Sequence, residues 1–323
     1  MITRPSPTTL SAVATPQHSP STPLASVMML GAGVLFGTTG TAQALGPDGM
    51  DPLSVGAVRQ VSGGLILALI GVLAWLRREG VRLPRLTTKL GWVLLGGASI
   101  MAFQATFFAG TRANGVAVGT VVALGSSPLF AGLFEWLAGR PPSRRWLVAT
   151  LVAVAGLVLL SGALGSASAP DPLGMLFSVV AGASYAAYAV AAATLLRSGT
   201  GALIATTAIL GTSGLIAAVI LPFVDAGWLA EPSGMAMAFW LGPVTVVAAY
   251  LLMGTALRTL SASTAVTLGL AEPITAATLG VLVLGETLTG MQWAGLAAVL
   301  AGVLIAGTRG RIRVVERDTP AQH

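Results

Sequence analysis

The sequence predicts an all-α integral membrane protein of ten transmembrane helices, built as two inverted five-helix repeats. Three observations predict it: scarce charge, apolar stretches of membrane-spanning length, and a second half that echoes the first. Of 323 residues, 54% are hydrophobic and only 9% are charged, against roughly 25% charged in an ordinary soluble domain. So little charge cannot wet a soluble surface, which excludes a soluble enzyme and a disordered chain. The net charge of +6, spread over a lipid-embedded chain, speaks of topology rather than nucleic acid, and no nucleic-acid partner is expected.

Two absences narrow the chemistry. Without cysteine there is no disulfide, thiol catalyst or thiolate metal site. The two histidines, His18 and His323, lie in polar tails, so no imidazole serves the hydrophobic body. No catalytic residue, metal or cofactor is expected.

Residues 1–24 read as a disordered tail, with Pro5, Pro7, Pro16, Pro20 and Pro23 among many Ser and Thr. A helix needs about 20 residues to cross a bilayer. Stretches of that order lie at 25–45, 52–76, 90–111, 115–137 and 145–162, which form the first repeat over 25–162. The second repeat, 173–308, holds 173–196, 201–223, 235–257, 261–284 and 290–308, and 309–323 is a basic tail. Most breaks carry Pro, Gly or charge, as in Gly46-Pro47-Asp48-Gly49 and Arg140-Pro141-Pro142. Those at 112–114 and 258–260 are very short.

Charge sets the orientation. With the N-terminus in the cytoplasm, fifteen of the 17 basic residues fall inside. Among them are Arg77, Arg78, Arg82, Arg85, Lys89, Arg140, Arg144, Arg145, Arg197 and Arg258, together with Arg4 and the tail arginines Arg309, Arg311, Arg313 and Arg317. The outer connections hold Asp48, Asp51, Asp171, Asp225, Glu231 and Glu286, and one arginine, Arg112. This asymmetry predicts a multi-pass protein of the cell (plasma or inner) membrane with both termini cytoplasmic. All seven tryptophans, at 75, 92, 136, 146, 228, 240 and 293, fall near span ends and read as interface anchors.

The halves resemble each other. Pro128 matches Pro273 at an offset of 145, while Gly139, Gly156 and Arg112 match Gly285, Gly302 and Arg258 at 146. Five spans per half is an odd number, so the second copy crosses in the opposite sense, as in many secondary transporters. The stretch Ala271-Glu272-Pro273, then Leu284-Gly285-Glu286-Thr287-Leu288, then the Gly-rich last span to Gly307 resemble the EamA-type carriers of the drug/metabolite transporter superfamily. Arg59 and Ser127-Pro128 also fit. One departure is Gly139-Arg140-Pro141, where members often carry Gly-Glu. The resemblance implies ten helices, cytoplasmic termini and, in many members, efflux of amino acids or other small metabolites.

Candidate pathway residues follow from the cost of polar groups in lipid. Glu272 is the one acid at the centre of a span. Either it lines a cavity, binding a substrate amine or carrying a proton, or it is tied to a neighbouring helix beside Pro273. At about 100° per residue Thr264, Thr267, Thr275 and Thr278 share its face. Arg59 either holds a substrate carboxylate or pairs with Glu272 or outer acids. Glu135 reads as an interface ion pair with Arg140 or Arg144. Tyr185 and Tyr188, three apart on one helix face, and Tyr250 lie well inside spans. They read as a ring-lined cavity or as ordinary packing. Gln104 is the counterpart of Tyr250 at offset 146, so both halves place a polar group at one symmetric point. Pro128, Pro243 and Pro273 are candidate helix breaks.

The leading expectation is a secondary transporter working by alternating access on a small neutral or zwitterionic metabolite, such as an amino acid, with export as the direction. Its expected partners are that solute and the lipid bilayer, with protons as a candidate coupling ion and a homo-oligomer as a candidate assembly. A channel-like facilitator is the alternative, and an intramembrane enzyme a remote one, since no Cys, membrane His, catalytic Asp pair or metal cluster is present. No GxxxxGK[ST] stretch exists to bind ATP.

Overall fold

Lipid-facing leucines outside and small residues inside define the architecture. The computed structural model describes residues 22–77, 86–161 and 170–307. The tail at 1–21, the basic residues Arg78, Arg82 and Arg85, and the tail arginines lie outside the described residues, as do both histidines. The elements are α1 (Thr22–Ala44), α2 (Pro52–Leu76), α3 (Leu86–Leu137), α4 (Arg144–Leu160), α5 (Pro172–Arg197), α6 (Ala202–Ile220), α7 (Pro232–Phe239), a π-helix (Trp240–Val246), α8 (Val247–Ala256), α9 (Ala262–Leu268), α10 (Ala271–Leu284) and α11 (Gly290–Gly307). Among the described residues there is no strand.

Nine stretches of the described residues are long and apolar enough to cross a membrane. The fifth expected span falls on α4, whose 17 residues reach about 25 Å by helical rise. The helical trace of α3 holds two of the nine, Lys89–Asn114 and Val118–Leu137. It doubles back between them. A Cβ built on Gly119 would stand 2.7 Å from the Thr111 Cα, whereas eight residues of straight helix would separate them by about 12 Å.

Leu69, Leu76, Leu151, Leu215, Leu282 and Leu304 point outward and are more than half exposed, while the core is rich in buried alanines such as Ala123, Ala153, Ala186 and Ala249. Lipid offers leucine as good a home as protein does, so the interior is chosen for close backbone approach. The contacts repeat between halves. Gly37 on α1 meets the Glu272 carbonyl, and Gly182 on α5 meets the Ala123 carbonyl and the Ser127 amide; Gly37 and Gly182, like Ser127 and Glu272, are 145 apart. A side chain at either glycine would strike backbone. Gly156 of α4 and Gly295 of α11 close a second such contact.

Polar contacts tie together the connections that alternate crossing places on one side. Lys89 Nζ donates to the Ser198 carbonyl at 2.9 Å, and Arg145 Nε to the Ile305 carbonyl at 3.1 Å. At the opposite end, Asn114 Nδ2 donates to the Asp171 carbonyl at 3.1 Å. There Asp51, Arg112 and Asp225 share a depression of about 450 Å³. We refer to these as the basic end and the acidic end.

The tryptophans divide. Trp92, Trp136, Trp240 and Trp293 are exposed, but Trp228 is 8% exposed and donates to Ser54 Oγ at 2.8 Å. Trp146 lies against Gly132 and donates to Thr267 Oγ1 at 3.0 Å. These two hold helices together rather than anchoring the interface, because their indole N–H groups find hydroxyl partners inside. The Trp75 side chain lies outside the described residues.

Candidate functional site

Proline shapes the frame of the site. Its missing N–H orphans the carbonyl four residues earlier. At Pro128 that carbonyl is Leu124's, and the Ser127 hydroxyl donates to it at 2.9 Å; α3 continues through Pro128 without a break. At Pro273 it is Gly269's, and the Glu272 amide donates to it at 2.9 Å. Here the helix is interrupted: α9 ends at Leu268 and α10 begins at Ala271. Pro243 sits inside the π-helix.

An aromatic chain crosses the middle of the bundle. Phe103 of α3 lies 5.5 Å from Tyr185 of α5 between ring centroids, and Tyr185 lies 6.2 Å from Tyr188. Tyr188 meets Tyr250 of α8 edge-on at 5.5 Å, and Tyr250 meets Phe36 of α1 at 5.1 Å. The Arg59 guanidinium of α2 stands 5.9 Å from the Phe36 ring centre, within cation–π range. The Tyr185 hydroxyl points at Met253 Sδ, 3.7 Å away.

Two charged groups stand close to this chain. Arg59 and Glu272 act electrostatically on each other and on both Tyr185 and Tyr250. Among the described residues no direct ion pair joins them. Both side chains keep part of their accessible surface, as does Tyr185, whereas Tyr188 and Tyr250 are buried. A carboxylate and a guanidinium thus stand near the same tyrosines without forming an ion pair.

Several polar atoms here lack partners. Arg59 Nε, both amide atoms of Gln60 and Thr39 Oγ1 are buried without a hydrogen bond. The Gln60 amide lies beside the Tyr250 hydroxyl but makes no bond of ordinary geometry. Gln60 was missed in the sequence reading. The cost argument that singles out Gln104, an amide deep in an apolar span, applies equally to Gln60 in α2.

Two expectations need correction. The threonines do not share one helix with Glu272: Thr264 and Thr267 lie on α9, whereas Thr275 and Thr278 lie on α10 with it. Thr267 bonds Trp146 and Thr150, and Thr275 and Thr278 donate to the Ala271 and Ile274 carbonyls of their own helix. Glu135 is not an interface ion pair. It is 5% exposed, and its carboxylate accepts the backbone N–H groups of Ala262 and Ser263. Gln104 is buried at 3% exposure, and no hydrogen bond or ring contact links it to the tyrosines among the described residues. No group of three or more His, Asp or Glu among the described residues is placed to hold a metal.

The model of the EamA-like transporter family matches residues 23–162 and again 172–308. The chain belongs to the EamA-like transporter family. It is 35% identical over 288 residues to the uncharacterized transporter YwfM of Bacillus subtilis (strain 168), covering 88% of this chain and 94% of that one. It is 30% identical over 263 residues to the uncharacterized protein PA1977 of Pseudomonas aeruginosa, covering 81% of this chain and 86% of that one. A solved crystal structure superposes with a TM-score of 0.71 at 20% identity, over 87% of this chain and 97% of that one, so the fold is shared. As an EamA-like member of the drug/metabolite transporter superfamily, the chain is a multi-pass membrane transporter.

Two parts of the matched region have clear local physics. Gly139 and Gly285 both take positive φ, 73° and 71°, a conformation that side chains resist. Each ends a helix, α3 and α10. After Gly285, the Glu286 amide caps the Gly280 carbonyl and its carboxylate folds back onto Gly280.

Proposed function

We propose that this EamA-like chain is a secondary transporter that exports a small neutral or zwitterionic solute by alternating access. One observation carries the reading: Arg59 and Glu272 both stand within electrostatic reach of Tyr185 and Tyr250 and are not joined in a direct ion pair. A zwitterion completes both. Its carboxylate meets Arg59, which cannot shed its charge; its amine meets Glu272; its apolar part lies on the rings of Tyr185 and Phe103. Empty, two enclosed charges are costly, so occupancy lowers the free energy of the loaded carrier.

On this reading the protein has ten helices in two inverted repeats, with the basic end in the cytoplasm. Glu272 is then also the candidate proton carrier, with a proton gradient as the driving force. Few fixed charges line the site, which disfavours polyanionic solutes. The test is counterflow in liposomes containing the purified protein, preloaded with unlabelled neutral L-amino acids and offered the labelled ones outside. Saturable uptake that requires the preloaded solute supports the carrier. Non-saturating flux indifferent to preloading supports a channel-like facilitator, and chemical conversion of the solute supports an enzyme.

A further inference from the structure

The carrier reading uses the middle of the bundle and leaves one buried charge without a role. Glu135 lies in the last turn of α3 at the basic end, 5% exposed. Its Oε1 accepts the Ala262 N–H at 2.8 Å and its Oε2 accepts the Ser263 N–H at 3.3 Å. Those donors open α9, a short segment that ends at Leu268, with only Gly269 and Leu270 before α10 and Glu272. A carboxylate from the first half therefore grips the piece of chain that leads to the central acid of the second half.

We propose that Glu135 is a positioning residue of the transport cycle: it pins the first turn of α9 to keep the basic end closed, and releases it each time that end opens. The proposal rests on the carrier reading, since a chain that moves no solute has no cycle to gate. Alternating access moves one repeat against the other, so contacts between repeats at a pathway end must form in one state and break in the next. Two hydrogen bonds to a single carboxylate make a contact that is either made or lost. Arg197, from α5, stands within electrostatic reach of Glu135 and gives the freed carboxylate a second place to turn. The carboxylate has no counterpart in the other half. At offset 146 the counterpart of Glu135 is the apolar Val281, which cannot grip a backbone amide at the acidic end.

Because the chain has no cysteine, Glu135→Cys and Ala262→Cys introduced together into the full chain form a unique pair. A short, reducible bis-methanethiosulfonate reagent bridges them in liposomes, and counterflow of labelled neutral L-amino acids is the readout. The expected result is loss of counterflow on bridging and its return on reduction, with each single variant unaffected by the reagent. Counterflow that continues unchanged through the bridged protein overturns the proposal. A purely structural cap predicts that outcome, because locking a permanent contact changes nothing. Hydrogen exchange at the Ala262 and Ser263 amides supplies a measurement that needs no transport. Glu135→Gln should speed it about ten- to a hundredfold, the equivalent of one charge-assisted hydrogen bond, and unchanged exchange also overturns the proposal. If wild type and the reduced pair alike move no amino acid, the carrier reading fails and the transport role of Glu135 falls with it, while the exchange result still decides the contact.

Discussion

Phe36 and Tyr250 meet edge to face, their ring centroids 5.1 Å apart at an angle of 70°. This contact joins α1 to α8, beside the arginine that stands over Phe36. The rings pack the bundle, and if the Tyr250 hydroxyl serves the proposed site the two roles separate by mutation. Tyr250→Phe should leave thermal stability in detergent within about 1 kcal/mol, the net worth of a hydroxyl interaction, yet reduce counterflow. Phe36→Ala should cost about 3 kcal/mol or more through lost packing, read as a lower melting temperature. Equal melting temperatures for both variants would contradict the division.

Gln60 carries the reverse signature. Its buried amide has both atoms unpaired, and an unmet buried polar group costs about 1–3 kcal/mol. Gln60→Leu should therefore raise stability by that order while lowering counterflow. A variant that is less stable than wild type would show that the amide is satisfied in the membrane.

If Arg59 and Glu272 both hold the solute, as proposed, rather than form a structural pair with each other, their losses should not cancel. Glu272→Gln and Arg59→Gln should each weaken apparent affinity for a neutral amino acid by about 1.5–3 kcal/mol, the worth of a charged hydrogen bond. The double variant should be no better than either single one. Recovery of expression or flux in the double variant would mark a structural ion pair instead.

Much of this was legible in the sequence because lipid imposes simple rules. Hydropathy alone placed the spans, including the turn near Arg112 that lies hidden within one continuous helical trace. The charged and aromatic residues that the structure brings together were legible too, since Arg59, Glu272 and the three tyrosines are polar groups where polarity is costly. What failed were inferences that assumed a straight helix or a local partner. The threonine stretch divides between two helices, with Thr264 and Thr267 on α9 and Thr275 and Thr278 beside Glu272 on α10. Glu135 was matched to nearby arginines, yet its partners are backbone amides 127 and 128 residues away, and no side-chain pattern announces a backbone donor. Trp228 and Trp146 sit at span ends as expected, but a ring at that depth packs inward when a hydroxyl awaits it.

The orientation has its own test. Reporter fusions after Arg144 and Arg313 should report cytoplasm, and fusions after Asp48, Asp171 and Glu231 the outside, because the basic end follows the positive-inside bias. Reversal at two of these sites would overturn the inverted arrangement, since each half must then cross an even number of times.

The central claim is that Tyr185 and Glu272 border a polar space inside the bundle, and cysteine accessibility tests it most directly. In the naturally cysteine-free chain, single Tyr185→Cys and Glu272→Cys variants are exposed to a small polar maleimide in membranes, with Leu282→Cys, 76% exposed in the structure and facing lipid, as the control. The account predicts that the two site cysteines react while the lipid-facing one stays inert, and that neutral amino acids slow the reaction at Tyr185→Cys. Site cysteines as unreactive as Leu282→Cys would contradict it and leave the tyrosines as ordinary helix packing.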